Sequence, residues 1–309
     1  MVGLMQGVAL AILSIATLAS GFAPAPSAFF GHASQTSRTS LRASLRHSTR
    51  LRGGAISMST TTGPRTIVEK DVEAVGETLC DMVAKAATSA IADKGHFAFA
   101  IPGGSILNML VQMNTKYPDL DWSKATMAYV NHRCVPLDDE TSTHFKARNK
   151  FLNQWIDKGL NCVLLDGTTD AEAEAASYTK KVEEIPSSTL PRSASGLPVF
   201  DLMLIGVGLD GHIGSLYPDS PQVAEKEKWV IPRVTDASSS ITLSLPVIAA
   251  ANDIVVASAG KSEKYPEGKA VAMKRALQGD ETAASFPASA LAGSATWILD
   301  EGAAAQLTL

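Results

Sequence analysis

Residues 200–221, FDLMLIGVGLDGHIGSLYPDSP, constrain the fold more than any other stretch of the chain. Residues 200–205 are apolar apart from Asp201, the pattern of a central parallel strand covered on both faces. Gly206, Gly208 and Gly211 then allow a tight turn and a close approach of backbone to a ligand. Asp210 and His212 fall where that strand ends, and open α/β sheets bind their ligands along that edge. A polar pair delivered there by a glycine turn points to chemistry.

The same glycines satisfy G-x-G-x-x-G, the dinucleotide fingerprint. A helix should continue from the third glycine, whereas Tyr217-Pro218-Asp219-Ser220-Pro221 breaks one early. Several strand–helix units also precede it, so dinucleotide binding is disfavoured. Gly260-Lys261-Ser262 is no phosphate loop either, because the glycine required five residues earlier is Val255.

Around this strand the pattern alternates. Apolar residues at three- and four-residue steps predict helices over 69–91, 106–113, 141–155, 171–182, 269–277 and 302–307. Short apolar runs predict strands over 96–101, 125–130, 161–165, 229–234, 241–245, 253–257 and 296–299. Such alternation implies an α/β fold: a mostly parallel, Rossmann-like sheet with helices on both faces. With no repeat and no linker in sight, residues 66–309 read as one catalytic domain.

The residues before it read differently. The run from Val8 to Ala19 is apolar, too short to span a bilayer, and followed by the small residues Ser20 and Gly21. Residues 1–21 are thus expected to be a signal peptide, although no Lys or Arg precedes the apolar run. Residues 22–58 carry Arg38, Arg42, Arg46, Arg50 and Arg52, many Ser and Thr, and no acid, which is transit-peptide composition. Together these parts resemble the bipartite presequences of algae with complex plastids, with Phe22 as the diagnostic aromatic. Plastid delivery is the expectation. A disordered basic tail or a mitochondrial peptide is the alternative, with a mitochondrial or cytosolic location.

Removing residues 1–58 takes the net charge from −4 to −9, with 22 basic against 31 acidic residues left. An acidic domain without a basic stripe argues against nucleic-acid binding. Cys80, Cys134 and Cys162 have neither metal-site nor disulfide-framework spacing. Cys80 and Cys162 read as core residues. Cys134, beside Arg133, is either buried or exposed and redox-sensitive.

Three strand ends present polar or glycine-rich turns: Gly103-Gly104-Ser105, Asn131-His132-Arg133 and Asp210-Gly211-His212. Ends that follow parallel strands share one edge and can converge on one crevice. Free amides of Gly103, Gly104 and Ser105 at a helix start suit a phosphate. Arg133 suits a phosphate or carboxylate. His212 is the candidate general base, Asp210 its candidate orienter, and Lys269, at a helix start, a candidate mobile cation.

Four blocks in order carry a family resemblance: Pro102-Gly103-Gly104-Ser105; Asn131 to Pro136 with Ser142-Thr143; the 200–218 stretch; and Gly268-Lys269-Ala270 through Phe286-Pro287 to Trp297-Ile298-Leu299-Asp300. In these the chain resembles the 6-phosphogluconolactonases, within the superfamily that includes glucosamine-6-phosphate deaminases. The resemblance implies hydrolysis of 6-phospho-D-glucono-1,5-lactone in the pentose phosphate pathway, with no metal and no organic cofactor. It implies a small-molecule sugar-phosphate lactone as partner, and a monomer with no membrane association in the mature form. His212 would be the general base. Asp210 and adjacent backbone would hold it and the developing oxyanion. Gly103, Gly104, Ser105, Asn131, Arg133, Gly211 and Lys269 would hold phosphate and sugar.

There are departures. Asn131-His132 replaces the family's Asp-Glu, Pro102 replaces a serine, and Ile213 a threonine. Ser240 stands where the family has a phosphate-binding arginine, and residues 261–266 read as an insertion. They keep two alternatives open: a non-catalytic sugar-phosphate-binding paralogue, and a sugar-phosphate isomerase or deaminase.

Overall fold

The structure, a computed structural model, describes residues 65–261 and 268–309. The leader expectations and nearly all of the insertion read at 261–266 lie outside the described residues. Ten strands are formed: β1 (Arg65–Glu69), β2 (Phe97–Ile101), β3 (Ala125–Tyr129), β4 (Asn131–Arg133), β5 (Asn161–Cys162), β6 (Leu202–Ile205), β7 (Val230–Val234), β8 (Ser239–Leu243), β9 (Asp253–Ser258) and β10 (Thr296–Asp300).

Seven of them make one sheet in the order β1-β10-β9-β6-β2-β3-β5, and every neighbouring pair is parallel. β2 and β3 are buried throughout, as expected of strands covered on both faces. The helix Val72–Lys94 starts three residues later than its apolar pattern predicts. Asp71 caps it by accepting from the Ala74 N–H at 2.9 Å, and Gly95 ends it in the left-handed region at φ 81°. The residues just before, 65–69, form an edge strand that the sequence reading missed.

Asp201, the polar exception in the central stretch, has a structural task. Its Oδ2 accepts from the Ala98 N–H at 2.7 Å and lies 3.0 Å from Lys94 Nζ, tying the start of β6 to β2. Burial of an ionised carboxyl is tolerable because both partners are present. Beside β2, Trp122 and Trp155 stack at 4.0 Å, with Phe99 and Phe151 packed around them.

Two expectations need correction. The strands expected over 229–234 and 241–245 do not join the parallel sheet. They form a separate antiparallel sheet, β4-β8-β7, with β4 in place of the turn expected at Asn131-His132-Arg133. The helix expected over 141–155 runs instead over 143–157, with a π-type stretch, Arg148–Leu152, inside it. The cysteine alternatives close on burial: Cys80 and Cys134 are buried, Cys162 partly so, and burial pushes each thiol up to about 12. Thiols held protonated are poor nucleophiles.

Candidate active site

In the parallel sheet, β6 and β2 are neighbours and β3 follows β2. From β2 the chain proceeds outward to β3 and β5; from β6 it proceeds the other way to β9 and β10. The order therefore reverses between β6 and β2, and such a switch point opens a crevice at the carboxyl edge. The turns after β6, β2 and β3 are the three glycine-rich or polar turns picked out in the sequence, and they are neighbours.

The turn after β6 is built around its glycines. Gly208 N–H donates to the His212 carbonyl at 2.9 Å, and Gly211 N–H to the Gly208 carbonyl at 3.1 Å. A Cβ on Gly208 would overlap Nδ1 and Cε1 of the His212 ring and lie 2.7 Å from Asp210 Oδ1. Gly211 has φ 84°, and a Cβ there would overlap the Phe286 ring. The imidazole thus lies directly on bare backbone, and the next glycine on an aromatic floor.

His212 Nδ1 is 2.6 Å from Asp210 Oδ1, and the same oxygen accepts from the His212 N–H at 3.2 Å. Burial alone would raise the Asp210 carboxyl. The hydrogen bond from the His212 ring and its charge outweigh that and hold the carboxyl below its ordinary value. A carboxylate can only accept, so Nδ1 carries a proton, and Nε2 is the lone-pair nitrogen of the neutral ring. The ring is about a quarter exposed, and Tyr217 stacks on it at 4.4 Å.

The amides of Gly208, Gly211, His212 and Ile213 are all engaged within the loop.

The remaining candidates are distributed as follows. Gly103 packs against Thr143, 3.1 Å from where its Cβ would be, and Gly104 has φ 85°. After Ser105 the chain is helical without a break from Ile106 to Lys116, with a 3-10 turn at Leu110–Gln112 inside the run, so the expected anion site lies at a helix start. Ile106 Cδ1 lies 3.9 Å from where a Cβ on Gly206 would be, which sets this turn beside the β6 turn. Lys269 is not mobile. It is buried, and its Nζ donates to the Val207 carbonyl at 2.9 Å, beside the His212 loop. Asn131 meets the loop further on: its Nδ2 is 3.5 Å from Ser215 Oγ, and Gly214 packs on Asn131 and Thr242.

His132, which stands where the resembling family has an acid, has a structural place. β4 alternates, so Asn131 and Arg133 share a face and His132 points the other way. Its ring is fully buried. Nε2 accepts from the His144 N–H at 3.0 Å, and Nδ1 donates to the Arg133 carbonyl at 2.6 Å. Ser142 Oγ accepts from the Phe145 N–H at 3.2 Å, so the two side chains together satisfy the start of the helix Thr143–Ala147. Burial keeps His132 neutral by lowering its pKa.

Tyr217, Phe286 and Thr143 were given no site role from the sequence. All three lie within the resembling blocks, but the contacts of Tyr217 with His212 and of Phe286 with Gly211 depend on how the loop folds back. No spacing announces them.

Fold and site together define an α/β protein with an imidazole–carboxylate pair, one ring nitrogen open, at the switch point of a parallel sheet. The model of the family described as glucosamine-6-phosphate isomerases/6-phosphogluconolactonase matches residues 70–299, and the chain belongs to that family. The chain is 31% identical over 247 residues to the 6-phosphogluconolactonase of Rattus norvegicus, covering 76% of this chain and 90% of that one. It is 29% identical over 225 residues to 6-phosphogluconolactonase 3, chloroplastic, of Arabidopsis thaliana, covering 70% and 66% respectively. The crystal structure of 6-phosphogluconolactonase from Leishmania guyanensis matches with a TM-score of 0.65 at 22% identity, over 80% of this chain and 99% of that one. At that identity the likeness speaks for the fold.

Proposed function

We propose that the chain is a lactonase that hydrolyses 6-phospho-D-glucono-1,5-lactone to 6-phospho-D-gluconate in the pentose phosphate pathway. The observation that carries this reading is His212: Nδ1 is held by Asp210, and Nε2 is left open at the carboxyl edge of the sheet. Water attacks the lactone C1 while Nε2 takes its proton. The tetrahedral intermediate collapses, the bond from C1 to the ring oxygen breaks, and the imidazolium returns the proton to that oxygen. Asp210 keeps the ring in the working tautomer and stabilises the imidazolium. Gly103, Gly104, Ser105, Asn131, Arg133, Gly211 and Lys269 form the bed for sugar and phosphate, with Gly211 and Lys269 acting through the shape of the His212 loop.

The departure at His132 does not weaken this reading, because that ring is engaged in structure on the far face of β4. Asn131 offers no carboxylate for aldose–ketose proton transfer, which disfavours the isomerase alternative within the family. Plastid residence is part of the proposal. It rests on the acid-free, arginine-bearing residues 22–58 and on chloroplastic relatives such as the Arabidopsis thaliana protein.

The test generates the lactone in place with glucose-6-phosphate dehydrogenase and follows its loss against spontaneous hydrolysis. Acceleration by the purified protein is expected. A folded protein that leaves the spontaneous rate unchanged would overturn the lactonase reading.

A further inference from the structure

We propose that Arg233, on β7, is a phosphate-binding residue of this site and acts with Arg133 across β8. The register of the antiparallel sheet places Ser240 opposite Arg133 on one side and opposite Arg233 on the other. Directly opposed residues of antiparallel strands project to the same face, so these three side chains form one row. The preceding row on that face, Asn131 and Thr242, packs against Gly214 of the His212 loop. The row of arginines therefore lies on the crevice side of the small sheet.

Arg233 is drawn toward the catalytic pair. Its guanidinium carbon sits 4.0 Å from the centre of the Tyr217 ring, and Tyr217 in turn stacks on His212 at 4.4 Å. One aromatic ring thus separates the guanidinium from the imidazole. That contact leaves the planar fork of N–H donors uncommitted, because a cation–π contact uses the face of the guanidinium and not its edge. Among the described residues, neither Arg133 nor Arg233 forms a salt bridge with a carboxylate.

Two cations on one face, with only the small Ser240 between them, repel one another unless an anion sits between them. A doubly charged, tetrahedral phosphate fits that gap, and two guanidiniums can each offer paired donors to it. The sequence reading counted a lost cation at Ser240; the register sets Arg233 one strand over from it. This inference rests on the lactonase reading for the identity of the substrate, but not for the existence of the anion site.

The test compares the protein with its Arg233→Ala, Arg233→Lys and Arg233→Ser/Ser240→Arg variants. The first readout is the ratio of kcat/KM for the 6-phospho lactone to that for unphosphorylated glucono-1,5-lactone. Arg233→Ala should lower that ratio roughly tenfold to a hundredfold, mainly through KM, as expected for loss of a charged hydrogen bond. Arg233→Lys should lower it less. The double variant, which moves the arginine one strand across, should recover most of it. The second readout is the rise in thermal midpoint with 6-phosphogluconate or inorganic phosphate, which needs no turnover. Arg233→Ala should shrink that rise. A folded Arg233→Ala protein with an undiminished ratio and an undiminished ligand-induced rise overturns the role of Arg233. If no variant turns over lactone, the lactonase reading fails, and the thermal shift alone decides Arg233.

Discussion

Two histidines lie at the ends of neighbouring features, and they differ in how many ring nitrogens are committed. His212 rests on a bare glycine at the crevice, with Nδ1 engaged and Nε2 open. His132 is sealed below the small sheet with both nitrogens engaged, one by a helix-start N–H and one by a carbonyl. On the proposed mechanism the same side chain is a reagent in one place and a strut in the other. Burial and the count of spent lone pairs decide which; its position after a strand does not.

The contrast breaks most sharply if His212 is replaced. His212→Ala should cut lactone hydrolysis by about 10²–10⁴-fold, the span of general-base contributions, while the thermal midpoint stays near that of the parent. A variant with parental rates would remove His212 from the mechanism. Gly208→Ala tests the seat and not the reagent. A methyl group there displaces the imidazole, and a misplacement of about 1 Å should cost on the order of 10²-fold in rate. Parental kinetics in Gly208→Ala would mean that the ring tolerates another seat.

His132→Ala should show the opposite profile. It strips partners from the His144 N–H and the Arg133 carbonyl and leaves a cavity, so unfolding free energy should drop by about 2–4 kcal/mol, measured by urea titration. The activity of the fraction that remains folded should persist. Loss of rate without loss of stability would place His132 in the chemistry after all.

The smallest effect concerns pH. Burial lowers the pKa of His132, and burial aided by Arg148 pushes His144 down to about 4. The unfolded chain therefore binds more protons than the folded one below the unfolded histidine value of about 6.5. The stability these rings contribute is complete above that value and is lost as the pH falls from it. Midpoints of urea unfolding should decline from pH 7.5 to 5.5, above the carboxylate range. A midpoint that rises on acidification over that interval would contradict the assignment.

The strand through Leu202–Ile205, the turns after it and the parallel sheet were legible because each rests on local signals: an apolar run, punctuating glycines, and alternation with helices. The small sheet was not. β4 has three residues, and its partners lie far along the chain, so nothing near Asn131 announces that it pairs with Thr242. The same blindness hid Arg233. A sequence shows that Ser240 carries no charge, but cross-strand register supplies the arginine opposite. The place of His132 was hidden for a related reason: its burial depends on strand alternation and on a helix start ten residues on.

The seat of His212 has a consequence for anyone who would transplant this chemistry. A graft that copied the side chains of Asp210 and His212 onto another scaffold would reproduce the hydrogen bond between them and still leave the ring without its resting surface. The unit that has to be moved begins at Gly208, and its most demanding specification is an atom that must be missing.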